Sequence, residues 1–157
     1  MNANAREKAD LPLPSSPDVR LLAIATAVPE HEIDQRVAQA SARACFGPRM
    51  RDFERLSRVF ASTAVERRYS VRPLAWFEVE HGWSDRTAAY AEGACALFER
   101  VVRAALATAH LDASQIDAVV TVSSTGILTP SIEARMLPGL GFRPDATRVP
   151  VFGLGCA

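Results

Sequence analysis

The sequence has no long apolar run, and none of its segments approaches the roughly 20 consecutive apolar residues of a membrane-spanning helix. Residues 1–18 are charged and rich in proline and serine, without the apolar stretch that a secretory signal requires. We therefore interpret residues 1–18 as a flexible leader and expect a cytoplasmic protein with no membrane partner.

Cysteine and histidine are also scarce. The chain contains only Cys45, Cys95 and Cys156 and 3 histidines, with no CxxC pair and no HxxxH spacing. This set argues against a disulfide framework and against a cysteine-rich zinc site, so we expect no bound metal. The 18 basic and 18 acidic residues give a formal net charge of zero. A balanced charge gives no reason to expect a nucleic acid or an anionic membrane as partner.

Within its 157 residues the chain alternates two kinds of apolar pattern. Short apolar runs typical of buried strands occupy residues 19–26, 118–122 and 149–154. Helical spacing of apolar residues occupies residues 33–45, 50–61, 87–110 and 131–137. This order of strands and helices predicts an α/β fold with a mostly parallel sheet.

The last predicted strand leads directly into Gly155, Cys156 and Ala157. A thiol between a strand and a following helix lies at the positive end of the helix dipole, which favours the thiolate. This position makes Cys156 a candidate nucleophile. One alternative is a small buried cysteine without chemistry. Another is that Gly153 and Gly155 begin a GxGxxG loop, whose third glycine would fall beyond residue 157.

Two further groups of residues are candidate binding groups. Arg55 and Arg58 lie on the polar side of the predicted helix at 50–61, and guanidinium groups suit phosphate. A solvated helix face is the alternative for them. Ser124 and Thr125 follow the strand at 118–122 and could line a site. The alternative is that the hydroxyls of Ser123, Ser124 and Thr125 satisfy the local backbone at the strand end.

Five segments, in their order and separation, resemble one family. They read LAIATAVP at 22–29 (followed by Gln35), FASTAVERRY at 60–69, VSSTGILTPS at 122–131, LGFRPD at 140–145 and VPVFGLGCA at 149–157. On these motifs the chain is similar to the type III polyketide synthases, the family of the chalcone and stilbene synthases. The similarity covers nearly everything after the leader, and its last segment is the most specific.

The resemblance implies a thiolase-like α/β fold, of which residues 19–157 would form the N-terminal half, truncated. It implies that Cys156 takes a starter acyl group from acyl-CoA, and that the complete enzyme extends this group by decarboxylative Claisen condensation with malonyl-CoA. Both thioesters are substrates, so no cofactor is implied, and a homodimer is expected. The site residues implied are Ser124, Thr125 and Thr129 at the starter pocket or dimer interface, and Arg55 and Arg58 at the CoA phosphates.

The chain also departs from the family pattern. Members use a His and an Asn from a second half that these 157 residues do not contain, and the Gly-Gly that usually follows the cysteine-x pair is absent. Ser62 stands where the family often has a third basic residue. We therefore expect these residues alone to be inactive in condensation. The alternatives are a condensing enzyme similar to ketoacyl-ACP synthase III, or a truncated, non-catalytic binding or dimerisation protein.

Overall fold

The computed structural model describes residues 19–153, and these form an α/β structure. The predicted nucleophile Cys156 and the leader at 1–18 lie outside the described residues. The strands are β1 (His31–Asp34), β2 (Arg67–Ser70), β3 (Ala118–Ser123) and β4 (Thr147–Phe152). The helices are α1 (Gln35–Phe46), α2 (Phe53–Ser57), α3 (Val59–Ser62), α4 (Trp83–Ala109) and α5 (Ile132–Leu140), with short 3₁₀ turns at Leu74–Glu78 and Ala113–Gln115.

The parallel pair β3 and β4 confirms the last two predicted strands. The two strands are in register from Ala118 opposite Thr147 to Ser123 opposite Phe152. Helix α5 connects them and packs on both strands and on α4. It begins one residue later than predicted and runs beyond the predicted end at 137, until Gly141 adopts a left-handed conformation (φ 82°) and its N–H binds the carbonyl of Leu137. Glycine reaches this conformation without strain.

Helix α4 is the long helix predicted at 87–110, and it begins four residues earlier, at Trp83. It ends where His110 turns left-handed (φ 53°) and its N–H binds the carbonyls of Leu106 and Ala107. The small residues of α4 allow close packing: a Cβ added to Gly93 would lie 2.2 Å from Cγ1 of Val71. Between residues 19 and 153, no helix combines the length and apolar character needed to cross a membrane.

The predicted strand at 19–26 is wrong. Residues 19–29 are not paired with any strand in the described part of the chain, and Leu22 and Ile24 are exposed. The exposed Leu22 and Ile24 alternate with the half-buried Ala23 and Ala25. This alternation is the two-residue period of an extended chain. An apolar run becomes a strand only when a neighbouring strand accepts its backbone hydrogen bonds, and the described residues provide none.

The expected mostly parallel sheet is also corrected. The described residues form two separate two-stranded sheets, the parallel β3–β4 pair and an antiparallel β1–β2 pair. The antiparallel pair was not predicted, because each of its strands has four residues and is too short to show an apolar period.

The predicted helix at 50–61 is divided into α2 and α3 at Arg58. Two carbonyls that a continuous helix would use are bound by side chains instead. Ser57 Oγ donates to the carbonyl of Glu54 (3.0 Å), and Gln39 Nε2 donates to the carbonyl of Ser57 (3.3 Å). This competition by side-chain donors explains the break, since each carbonyl loses its helical partner.

Gln35 connects the first half of the described chain. It is 7% exposed, its Nε2 donates to the carbonyl of Phe60 (2.9 Å), and its Oε1 accepts from Nε of Arg68 (2.6 Å). Its backbone N–H donates to the carbonyl of Glu66 (2.9 Å). One buried amide therefore joins α1, α3 and β2.

Candidate active site

The candidate site lies at one edge of the β3–β4 sheet. Both strands end there, with Ser123 opposite Phe152, and the N–H of Gly153 binds the carbonyl of Ser123 at 3.2 Å. The carboxyl ends of parallel strands are where α/β folds bind ligands. Ser124 and Thr125 follow β3 at this edge, and Gly153 turns the chain after β4 with φ 82°.

A cavity of about 200 Å³ opens beside the two hydroxyl residues. The structure thereby brings Ser124 and Thr125 to one surface, and both side chains are exposed. The other lining residues are Trp83, Arg86, Thr87 and Tyr90 of α4, with Gly126, Ile127 and Phe152. Sequence reasoning missed the α4 residues, although their spacing (i, i+3, i+4, i+7) marks one face of a helix.

A hydrogen-bonded group holds the turn after β3. Tyr90 OH lies 2.6 Å from Ser123 Oγ, and Ser123 Oγ donates to the carbonyl of Gly126 (3.1 Å). A Cβ added to Gly126 would lie 2.5 Å from carbon atoms of the Tyr90 ring. The Ser123 hydroxyl therefore hydrogen-bonds the local backbone, which is one of the two roles predicted for the hydroxyls of this segment. Ser124 and Thr125 stay open to the cavity.

Thr129 lies on the loop between this turn and α5, and it does not line the cavity. It is exposed, it precedes a cis peptide bond to Pro130, and its carbonyl accepts a hydrogen bond from Nη2 of Arg135 (3.3 Å). Nε of Arg135 also donates to the carbonyl of Pro130 (2.9 Å). Arg135 therefore fixes the backbone of the loop and leaves the Thr129 side chain at the surface.

Arg55 and Arg58 lie on the surface of the α2–α3 segment. Nη2 of Arg55 is 3.2 Å from Oδ2 of Asp52, and both side chains are largely exposed. Neither arginine lines the cavity beside Ser124 and Thr125. The structure thus places two sets of predicted site residues on different elements. Among residues 19–153, no group of three or more His, Cys, Asp or Glu side chains is arranged as a metal site.

Known proteins similar to this chain belong to one enzyme family. A putative chalcone synthase of Bacillus subtilis is 33% identical over 142 residues, which cover 87% of this chain and 39% of that protein. The 1,3,6,8-tetrahydroxynaphthalene synthase of Streptomyces griseus is 37% identical over 134 residues, covering 85% and 36%. These homologues of the chain are type III polyketide synthases. No family model matches the chain.

The solved structures agree. The chain is 30% identical to the type III polyketide synthase 1,3,6,8-tetrahydroxynaphthalene synthase of Streptomyces coelicolor A3(2), with a TM-score of 0.77 over 85% of this chain and 38% of that one. The PKS-I of the brown alga Ectocarpus siliculosus (23% identity, TM-score 0.74, 90% and 42% covered) shares the fold. The fold is therefore the thiolase-like α/β fold of type III polyketide synthases.

The chain spans less than two fifths of the length of the curated relatives described above, at 39% and 36%. The relatives named above are polyketide synthases, which supports interpreting the chain as part of a polyketide synthase over the ketoacyl-ACP synthase alternative.

Proposed function

We propose that this chain is part of a type III polyketide synthase in which Cys156 is the acyl-carrying nucleophile. The observation that supports this most directly is the shared edge of β3 and β4. Ser124 and Thr125 line a cavity there, and β4 ends at the same edge four residues before Cys156 in the sequence. A cysteine that follows such an edge is near the position where α/β folds bind ligands.

The proposed chemistry has two stages. In the first, the Cys156 thiolate attacks the carbonyl carbon of acyl-CoA, the new carbon–sulfur bond forms, and CoA leaves as a thiol after taking a proton. In the second, malonyl-CoA loses CO₂, and the resulting carbanion attacks the acyl carbonyl. A carbon–carbon bond forms and the Cys156 thiolate is released.

The cavity offers apolar contact for a starter acyl group as well as hydroxyls. Ile127 and Phe152 are both more than half exposed, and both line the cavity with Ser124 and Thr125. Burial of an acyl chain against such side chains contributes about 0.8 kcal/mol for each CH₂ group. We assign Ser124 and Thr125 to the starter pocket, and the exposed Thr129, which does not line this cavity, to the interface of a homodimer.

We further propose that Arg55 and Arg58 bind the phosphates of the CoA thioesters. The ion pair between Arg55 and Asp52 is exposed to solvent, and such pairs contribute little to stability. Arg55 can therefore exchange Asp52 for a phosphate at small cost. The double variant Arg55→Ala/Arg58→Ala should raise the KM for acyl-CoA about tenfold or more. Arg103→Ala is the matched control, because Arg103 is an exposed arginine on α4 that pairs with Glu99.

The remaining length of the relatives suggests what completes the site. We propose that residues 19–157 form the N-terminal half of a thiolase-like domain, after a leader at 1–18, and that the rest of the whole protein supplies the His and Asn of the family. The uncovered face of β3 supports this, since Val120 and Val122 are 62% and 60% exposed. Adjacent apolar side chains on one sheet face are normally covered by another element.

The test is to express the complete reading frame that encodes this chain and to supply acyl-CoA with ¹⁴C-labelled malonyl-CoA. We expect a starter acyl group on Cys156, release of CO₂ and a labelled polyketide. The 157-residue chain alone should be acylated slowly and release no CO₂.

The reading frame beyond codon 157 is the first check, because it should encode a His and an Asn in a second thiolase-like half. A complete protein that neither acylates Cys156 nor decarboxylates malonyl-CoA contradicts the proposal.

A further inference from the structure

We infer that Tyr90 is a positioning residue that fixes the turn carrying Ser124 and Thr125. Tyr90 comes from α4, and the turn follows β3 from Ser123 to Gly126. A role of Tyr90 in substrate binding rests on the proposed function, in which Ser124 and Thr125 line the starter pocket.

The hydroxyl groups form a directed chain. A serine hydroxyl carries one proton, and Ser123 donates it to the carbonyl of Gly126 (3.1 Å). The 2.6 Å contact between Tyr90 and Ser123 therefore has the Tyr90 hydroxyl as its donor. Consecutive bonds of this kind strengthen one another. The chain ties the first residue of the turn to the last, and both to α4.

The Tyr90 ring holds the same turn from the side. The backbone of Gly126 lies so close to this ring that an added Cβ would come within 2.5 Å of two ring carbons. The turn therefore cannot move toward α4, and the hydroxyl bonds oppose its movement away. Ser124 and Thr125 lie between the two fixed ends, so their orientation in the cavity depends on Tyr90.

Tyr90→Phe removes the hydroxyl of Tyr90 and keeps the ring. Ser123→Ala removes the oxygen that accepts the hydrogen bond from Tyr90. Ser123→Thr keeps a hydroxyl and is the conservative variant, and the added methyl has space because Ser123 also lines a cavity of about 80 Å³. Tyr69→Phe is the matched control, since Tyr69 is the other of the chain's 2 tyrosines and lies on β2.

Hydrogen exchange of the complete protein, followed by mass spectrometry, measures the turn itself. We expect the amide of Gly153, whose N–H binds the carbonyl of Ser123 (3.2 Å), to exchange about threefold to tenfold faster in Tyr90→Phe, as for the loss of one net hydrogen bond. Exchange should be at least as fast in Ser123→Ala, which removes two hydrogen bonds. The double variant should match Ser123→Ala, because that change already removes the acceptor of the Tyr90 hydroxyl. Tyr69→Phe and Ser123→Thr should match the wild type. Unchanged exchange in Tyr90→Phe would overturn the inference.

Kinetics of the complete protein then test the consequence for substrate. Tyr90→Phe should raise the KM for the starter acyl-CoA about threefold to tenfold and leave kcat nearly unchanged, because the turn contributes to binding rather than to bond formation. Faster exchange with an unchanged KM would overturn the role in substrate binding. If the wild type turns over no acyl-CoA, the proposed function fails, while the exchange experiment still decides whether Tyr90 positions the turn.

Discussion

The hydroxyl of Thr121 on β3 donates a 2.7 Å hydrogen bond to Oε2 of Glu133 in the first turn of α5. Glu133 is fully buried, and its other carboxylate oxygen has no hydrogen-bond partner among the described residues. Burial acts to raise the pKa of Glu133, but hydrogen bonds from Ser131, Thr121 and its own backbone N–H, with the charge of Arg148, hold the pKa below the ordinary value of 4.5. The carboxylate is therefore ionised, and the N-terminus of α5 favours its charge.

Glu133 should make the free energy of unfolding depend on pH in the acid range. Its pKa is lowered by folding, so its contribution is present above pH 4.5 and is lost as the pH falls through the lower folded value. Glu133→Gln keeps an acceptor for Thr121 without the charge. We expect the variant to be less stable than the wild type near neutral pH, and this difference to shrink as the pH falls below 4.5.

Urea unfolding of both proteins at several pH values measures this difference. Glu133→Ala serves as the second variant, because it leaves the Thr121 hydroxyl without its acceptor and opens a cavity, at a cost of about 2–4 kcal/mol. A difference between Glu133→Gln and wild type that stays constant with pH would show that the carboxylate does not titrate with folding.

Some elements follow from local sequence alone and others do not. Helix α4, β3 and β4 were predicted correctly in kind, because a long apolar period or a continuous apolar run leaves little choice of structure. The segment at 19–26 has an equally clear pattern, and it failed because a strand needs a partner that no local pattern reports. The helix at 50–61 failed for a different reason, since Gln39 and Ser57 divert two helical carbonyls.

The two glycines inside helices should respond oppositely to the same substitution. Gly93 in α4 faces Val71, and an added Cβ would lie 2.2 Å from Cγ1 and 2.7 Å from Cβ of this stiff side chain. Gly139 in α5 has nothing within 4 Å of the added Cβ. Gly93→Ala should therefore destabilise the fold by about 1–3 kcal/mol, whereas Gly139→Ala should stabilise it by up to about 1 kcal/mol.

Thermal unfolding of the two variants compares them directly, with the wild type as reference. Because both substitutions gain the same helix propensity, the difference between them isolates the contact between α4 and Val71. Equal and positive shifts in Tm for both variants would mean that Val71 moves aside and that this packing contributes nothing.

The candidate site was predicted in part. The apolar run at 118–122 predicted correctly that Ser124 and Thr125 follow a strand, whereas their assignment to the site came from the family resemblance. Tyr90 was not predicted, since the contact between it and Ser123 joins residues 33 positions apart. Such a contact exists only once α4 has packed beside β3, and one sequence does not report that packing.

Cys156 should be more reactive at pH 7 than Cys45 or Cys95 in the complete protein. Cys45 and Cys95 lie within α1 and α4, as predicted, and both are half-buried. In the proposed complete fold, Cys156 precedes the N-terminus of a helix, whose dipole favours the thiolate. Iodoacetamide labelling, followed by peptide mass spectrometry, should therefore modify Cys156 at least about tenfold faster than either other cysteine. Cys156→Ser should lose the fast phase, and wild type in urea should label Cys45, Cys95 and Cys156 at similar rates. Equal labelling of the folded protein, or preference for Cys45, would contradict an activated thiol at this position.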